Sequence, residues 1–211
     1  MTSEFRPGLD AAQASRALAR IDPRFAQVVA RAGPCTIAPE RGFDPFKALA
    51  SAIAHQQLNG KAAATILGRF KTQVGKGRFP NAEVVRQAPF ESLRAVGFSN
   101  AKSLALKDLA EKSLDGTVPK ARVLRELGDE EIIERLIVVR GVGRWTAEML
   151  LMFRLGRLDV LPVDDFGVRK GFGLLHSRRS MIEPKALRAH GEIWAPYRSV
   201  AAWYCWRALE S

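Results

Sequence analysis

Apolar residues recur three and four positions apart along nearly the whole chain, and no run alternates in the manner of a half-buried strand. That regularity restricts the fold to packed helices. Punctuation supports it: Asp44–Pro45 pairs a side-chain acceptor with a residue whose φ is already helical, so DPFKALASAIAHQQL, residues 44–58, predicts an apolar helix. Asn59–Gly60 interrupts it and KAAATILGRFKTQV begins another, giving a helical hairpin. Further helices are expected over 11–20, 25–32, 80–87, 90–96, 99–114, 165–171, 184–190 and 196–209. A chain of 211 residues, 47% of them hydrophobic, can bury one sizeable core or two small lobes sharing a cleft. The expectation is a compact all-α protein, a single domain over 1–211 with two helical lobes about a groove. The first 40 or so residues are expected to pack as helices on the second lobe.

Charge narrows the partners. Lys and Arg number 33 against 22 Asp and Glu, a net +11, and such a surface calls for a polyanion, of which nucleic acid is the commonest. Cys35 and Cys205 have no CxxC spacing, and His55, His176 and His190 show neither HxxxH nor HxH, so neither a cofactor, an iron–sulfur cluster nor a dedicated zinc centre is expected. The opening MTSEFRPGLD lacks the apolar run of a signal peptide, and no segment reaches membrane-spanning length. A bacterial cytoplasm, at the nucleoid, is the expected location, with a nucleus as the other compartment that fits.

The stretch from Asp129 to Leu155 carries the most chemistry. Asp129, Glu130 and Glu131 suit a helix N-terminus, and Ile132, Ile133, Leu136 and Ile137 form an apolar face behind them. Val139–Arg140–Gly141–Val142–Gly143 then gives way at once to a second helix beginning Arg144–Trp145. Two glycines around one apolar residue permit a tight turn with positive φ and leave backbone amides bare beside a helix N-terminus, where a phosphate oxygen binds. Val142 would pin the turn to the core. This is a helix–hairpin–helix pattern over 129–155, a clamp for the DNA backbone that carries no sequence information. Taken alone, a GVG turn is a weak signal.

Twenty residues beyond Trp145 stands Asp165, in LPVDDFGVRKG. With it, the stretches AIAHQQLNGKAA, LRAVGFSNAKSLALKDLA, GVGRWTAEMLLMF, DVLPVDDFGVRKG and WAPYRSVAAWYCW make the chain resemble the helix–hairpin–helix DNA glycosylase superfamily, and within it the 3-methyladenine DNA glycosylase II family, over roughly residues 40–210. The resemblance implies a monofunctional glycosylase, working as a monomer without cofactor, that flips alkylated purines out of double-stranded DNA and releases them, 3-methyladenine and with it 7-methylguanine. Asp165 matches the acid that stabilises oxocarbenium-like charge on the sugar, while adjacent Asp164 is expected to cap the following helix. Members that also cut the backbone carry a Schiff-base Lys where this chain has Trp145. Trp145 and Trp206 match residues that stack on a flat cationic base, although Trp206 serves equally well as a core aromatic; Trp194 and Trp203 are expected in the core. The family's pocket tyrosine is Met149 here.

Gln57 or Leu58, with Gln56 next, matches the wedge that fills the gap left by the flipped base. Gly141, Val142, Gly143 and Arg144 form the hairpin's DNA-binding face, with Lys61, Lys102, Arg169 and Lys170 as further candidates for phosphate; Arg198 is expected in a structural ion pair. No metal is required, though a monovalent cation on hairpin carbonyls is consistent with the superfamily. The competing readings are a non-catalytic helix–hairpin–helix DNA-binding protein and a glycosylase for other damaged bases.

Overall fold

The computed structural model describes residues 10–210. Among them the regular structure is helical, with no strand. The helices are α1 (Ala11–Ile21), α2 (Ala26–Ala32), α3 (Pro45–His55), α4 (Gly60–Arg69), α5 (Ala82–Gln87), α6 (Phe90–Ala95), α7 (Asn100–Leu114), α8 (Ala121–Glu126), α9 (Asp129–Ile137), α10 (Arg144–Phe153), α11 (Phe166–Leu175), α12 (Pro184–Gly191) and α13 (Arg198–Arg207). No helix is long and apolar enough to cross a membrane. The chain divides into two compact units: one holds Gly42–Ala147, the other the described residues up to Arg41 together with those from Glu148 onward.

Helix starts follow the capping chemistry of the sequence. Asp44 accepts from the Lys47 amide at 3.1 Å, Asn59 from Ala62 at 2.9 Å and Ser99 from Lys102 at 3.3 Å, each satisfying an amide that the helix itself leaves unpaired. In the Gly42–Ala147 unit, α3 buries Phe46, Leu49, Ala50 and Ile53, and α7, which packs beside it, buries Leu106 and Leu109. The stretch after Asn59 is not one uniform helix. Its last turn, Phe70–Val74, widens to π geometry, anchored by Phe70, which is fully buried with Phe98 edge-on at 5.3 Å and Phe79 at 5.6 Å.

In the other unit Phe25, Phe172, Trp194 and Tyr204 form an aromatic core, with Phe25 and Trp194 edge-on at 5.4 Å. Trp194 and Trp203 are buried, as expected. Helix α11 runs on to Leu175, one turn beyond the Gly171 at which the sequence suggested a stop. That glycine does not end the helix. It admits a neighbour: a Cβ at Gly171 would lie 1.9 Å from the carbonyl oxygen of Cys205 on α13.

Two glycines of α11 should therefore respond in opposite directions. Gly171→Ala gains up to about 1 kcal/mol of helix propensity but must push α13 away, a net loss of roughly 1–3 kcal/mol. At Gly173, where an added Cβ meets nothing within 4 Å, the same change should stabilise by about 0.5–1 kcal/mol. Thermal denaturation of the two variants checks this.

Candidate functional site

The hairpin between α9 and α10 is built on three buried residues of α9, Ile132, Ile133 and Leu136; Ile137, expected on the same face, has turned out to 45% exposure. Val139 and Val142 are buried, and the Val142 amide donates to the Val139 carbonyl at 3.0 Å, closing the turn. Gly141 has φ +77°, and a Cβ there would meet only Ala105 at an ordinary 3.5 Å, so backbone conformation rather than crowding calls for glycine. The positive φ that the glycine pair permits falls at Gly141 and not at Gly143. The Gly143 carbonyl accepts from the Ala147 amide and opens α10, and the space around its Cα stays open.

Neighbouring helices of the same unit brace this turn. Asp108 of α7 accepts from the Arg140 amide at 2.7 Å and pairs through its other oxygen with Lys112. Gln56 donates its Nε2 to the Gly141 carbonyl at 2.7 Å, so of the three wedge candidates it is the one committed to the hairpin. Lys102 was expected at phosphate; instead its Nζ donates to the carbonyls of Ala54 at 2.9 Å and Gln56 at 2.7 Å, satisfying the C-terminal end of α3. Partial burial lowers its pKa from the ordinary lysine value. Gln57 is exposed and left-handed at φ +54°, Leu58 beside it is 39% exposed, and Lys61 is exposed one turn on. Arg144 forms an ion pair with Glu130, with one N–O distance of 3.0 Å. Trp145, in the first turn of α10, is 49% exposed and is no core residue.

In the second unit Asp165 is itself the N-cap of α11, its Oδ1 accepting from the Val168 amide at 2.7 Å. The capping role expected of Asp164 thus belongs to its neighbour, and Asp164 is exposed. The same Oδ1 accepts the indole N–H of Trp206 at 2.9 Å. Trp206 is half-buried, its ring 5.8 Å from that of Phe153. Gly167 permits this arrangement, since a Cβ there would stand 2.7 Å from the Trp206 ring and 3.2 Å from Asp165 Oδ1. Met149 is half-buried on α10. Arg169 was a phosphate candidate, but its Nε donates to the Ile182 carbonyl at 2.7 Å; Lys170 stays exposed. Arg198 makes its ion pair with Asp159, at 2.8 and 2.9 Å.

With this geometry in place, residues 50–196 match the family described as HhH-GPD superfamily base excision DNA repair protein. The chain belongs to that superfamily. Among its HhH-GPD relatives is "DNA-3-methyladenine glycosylase 1" of Schizosaccharomyces pombe, 44% identical over 164 residues, which cover 78% of this chain and 72% of the relative. An "alkylbase DNA glycosidase-like protein" of the same organism is 34% identical, over 94% of this chain and 93% of its own. Two solved structures share the fold. The S. pombe 3-methyladenine DNA glycosylase in complex with abasic DNA has a TM-score of 0.79 at 40% identity, over 92% of this chain and 95% of that one. A DNA-3-methyladenine glycosidase from Bacillus halodurans reaches 0.82 at 34%, over 99% and 91%.

Several supporting residues of this HhH-GPD chain left no legible trace in the sequence. Asp108, Lys102 and Phe153 act across long sequence separations, and only Gly167, a glycine inside a helical pattern, hinted at a close approach. Burial pushes the Asp108 carboxyl up, but the Arg140 amide and Lys112 outweigh it and hold its pKa below the ordinary value. A depressed folded pKa gives stability that is complete above the unfolded value, near 4, and is lost as pH falls through the folded one. Asp108→Asn should therefore lower stability at neutral pH and show a weaker loss on acidification than the parent, read from denaturation midpoints between about pH 3 and 7.

Proposed function

We propose that this chain is a monofunctional DNA glycosylase that hydrolyses the N-glycosidic bond of alkylated purines in double-stranded DNA, 3-methyladenine foremost and 7-methylguanine with it. The observation that carries the reading is the carboxylate of Asp165, fixed by the Val168 amide and the Trp206 indole N–H in a chain 44% identical to a named 3-methyladenine glycosylase. Water adds to the anomeric carbon as the bond to the base breaks, leaving free base and an abasic site. Positive charge develops on the sugar in the transition state, and a preorganised anion beside it is the largest help a protein can give. Two N–H donors on one oxygen hold that anion in place without reorganisation. A relative 40% identical has been solved with abasic DNA, the product such a reaction leaves.

Trp145 takes the base. A purine alkylated at N3 or N7 is a cation, and stacking on an exposed indole is worth roughly 0.5–2 kcal/mol. The same charge makes the base a good leaving group, so little acid catalysis is needed. With Trp145 in place of an amine no Schiff base forms at that position, and the strand is not cut there. Met149 and Trp206 complete the contacts to the base. The backbone amides of Gly141 and Gly143 hold a phosphate, with Arg144 and Lys61 beside them. Gln57 and Leu58, both exposed, fill the gap in the stack, while Gln56 positions their turn.

The type II assignment belongs to this proposal. It rests on the motifs GVGRWTAEMLLMF and LPVDDFGVRKG and on 28% identity to the "DNA-3-methyladenine glycosylase 2" of Escherichia coli. A bacterial cytoplasmic location, at the nucleoid, is part of the same reading.

Asp165→Asn keeps a capping oxygen and should cut release of 3-methyladenine from methylated DNA by about 100-fold or more while DNA affinity changes little. Chromatography of the freed bases reads the first and a fluorescence titration the second; unchanged turnover would sink the assignment. Trp206→Phe removes one donor to the carboxylate and should slow single-turnover base release about tenfold.

A further inference from the structure

At the end of α11 opposite Asp165 lies a cluster that the proposed reaction does not use. Asp22 Oδ2 stands 3.4 Å from His176 Nε2 and 3.8 Å from His190 Nε2, and the three atoms all lie within 4.8 Å of one another. The Asp22 side chain is fully buried, that of His176 is 7% exposed and that of His190 30%. Neither Nε2 has a hydrogen-bond partner among the described residues. His176 Nδ1 faces the Phe172 carbonyl at 3.0 Å. A carbonyl only accepts, so Nδ1 carries the ring proton and Nε2 turns a lone pair toward a carboxylate oxygen. With His176 neutral, its lone pair and the Asp22 carboxylate oxygen face each other at 3.4 Å with no hydrogen between them, and a cation bound by both reconciles the pair.

We propose that Asp22, His176 and His190 bind one divalent transition-metal ion of the zinc class. Two imidazoles and a carboxylate suit zinc and its neighbours rather than magnesium or calcium. Zinc with ligands at about 2.0–2.1 Å in a tetrahedron separates them by about 3.4 Å, so the Asp22–His176 pair is already spaced for it and the more exposed His190 ring closes the remainder. Outer contacts fit as well. Trp194 donates its indole N–H to Asp22 Oδ2 at 3.1 Å, while Arg24 holds Oδ1 through its amide at 3.2 Å and its guanidinium at 3.3 Å. His176 is the C-cap of α11, the helix end at which the backbone dipole favours positive charge. The sequence argued against a zinc centre because its histidines lack local ligand spacing; here the ligands come from three separate segments of one unit. The ion fastens the residues after α1, the end of α11 and α12 to one another.

The test uses the full chain, without an affinity tag, stripped by chelator and titrated with zinc by calorimetry, with magnesium alongside. One zinc per chain and no magnesium is expected. His190→Gln, at the most exposed ligand, should weaken zinc binding at least tenfold, and zinc at about a hundredfold its Kd should raise the parent's Tm by several degrees but not the variant's. Should that variant not fold, carbethoxylation of the parent decides: zinc protects His190, while exposed His55 reacts regardless. Absence of stoichiometric binding, equal binding by the variant, or no protection of His190 would each overturn the proposal.

Discussion

The contact on which the candidate catalytic group depends is the close crossing of α11 and α13. Gly171 lets the Cys205 carbonyl sit where a side chain would otherwise be, and Gly167 does the same for the indole of Trp206. Only with both in place does that indole reach Asp165. A larger residue at Gly171 would displace α13, and one at Gly167 the Trp206 ring, by a shift on the ångström scale, and a carboxylate whose donors are misplaced by that much loses much of its value. The geometry of one side chain is thus set by two residues that have none.

The hairpin unit solves a different problem. A turn meant to offer bare amides cannot be stiffened by its own side chains, since those would cover the surface it presents. The stiffness comes from outside: Asp108 holds the Arg140 amide, Gln56 the Gly141 carbonyl, and Lys102 the end of the helix from which Gln56 springs. Val139 and Val142 are the members of the turn that are buried. Lys102 and Arg169, basic residues that a charge count assigns to DNA, are accordingly internal fasteners, each donating to backbone carbonyls.

Sequence periodicity made most helices legible because their caps are local: Asp44, Asn59 and Ser99 each announce a start within three residues. The hairpin and the acid at Asp165 were readable for the same reason, as short ordered motifs. Where the reading failed, the deciding partner was remote. Gly171 looked like a helix end because nothing nearby shows that Cys205 needs the space. Asp164 looked like the cap because adjacent acids are indistinguishable until the backbone chooses one. The six-residue α8, with Leu124 as its buried residue, is too short to establish a period. The convergence of Asp22 with His176 and His190 had no sequence spacing at all.

One oxygen of Asp165 both terminates a helix and receives the indole, so architecture and proposed chemistry share an atom. Deletion of that side chain conflates two failures, a frayed segment and a missing charge. Drift at this position is consequently constrained twice over: a replacement that spares folding still forfeits the anion, and no compensating change elsewhere can supply both duties at once.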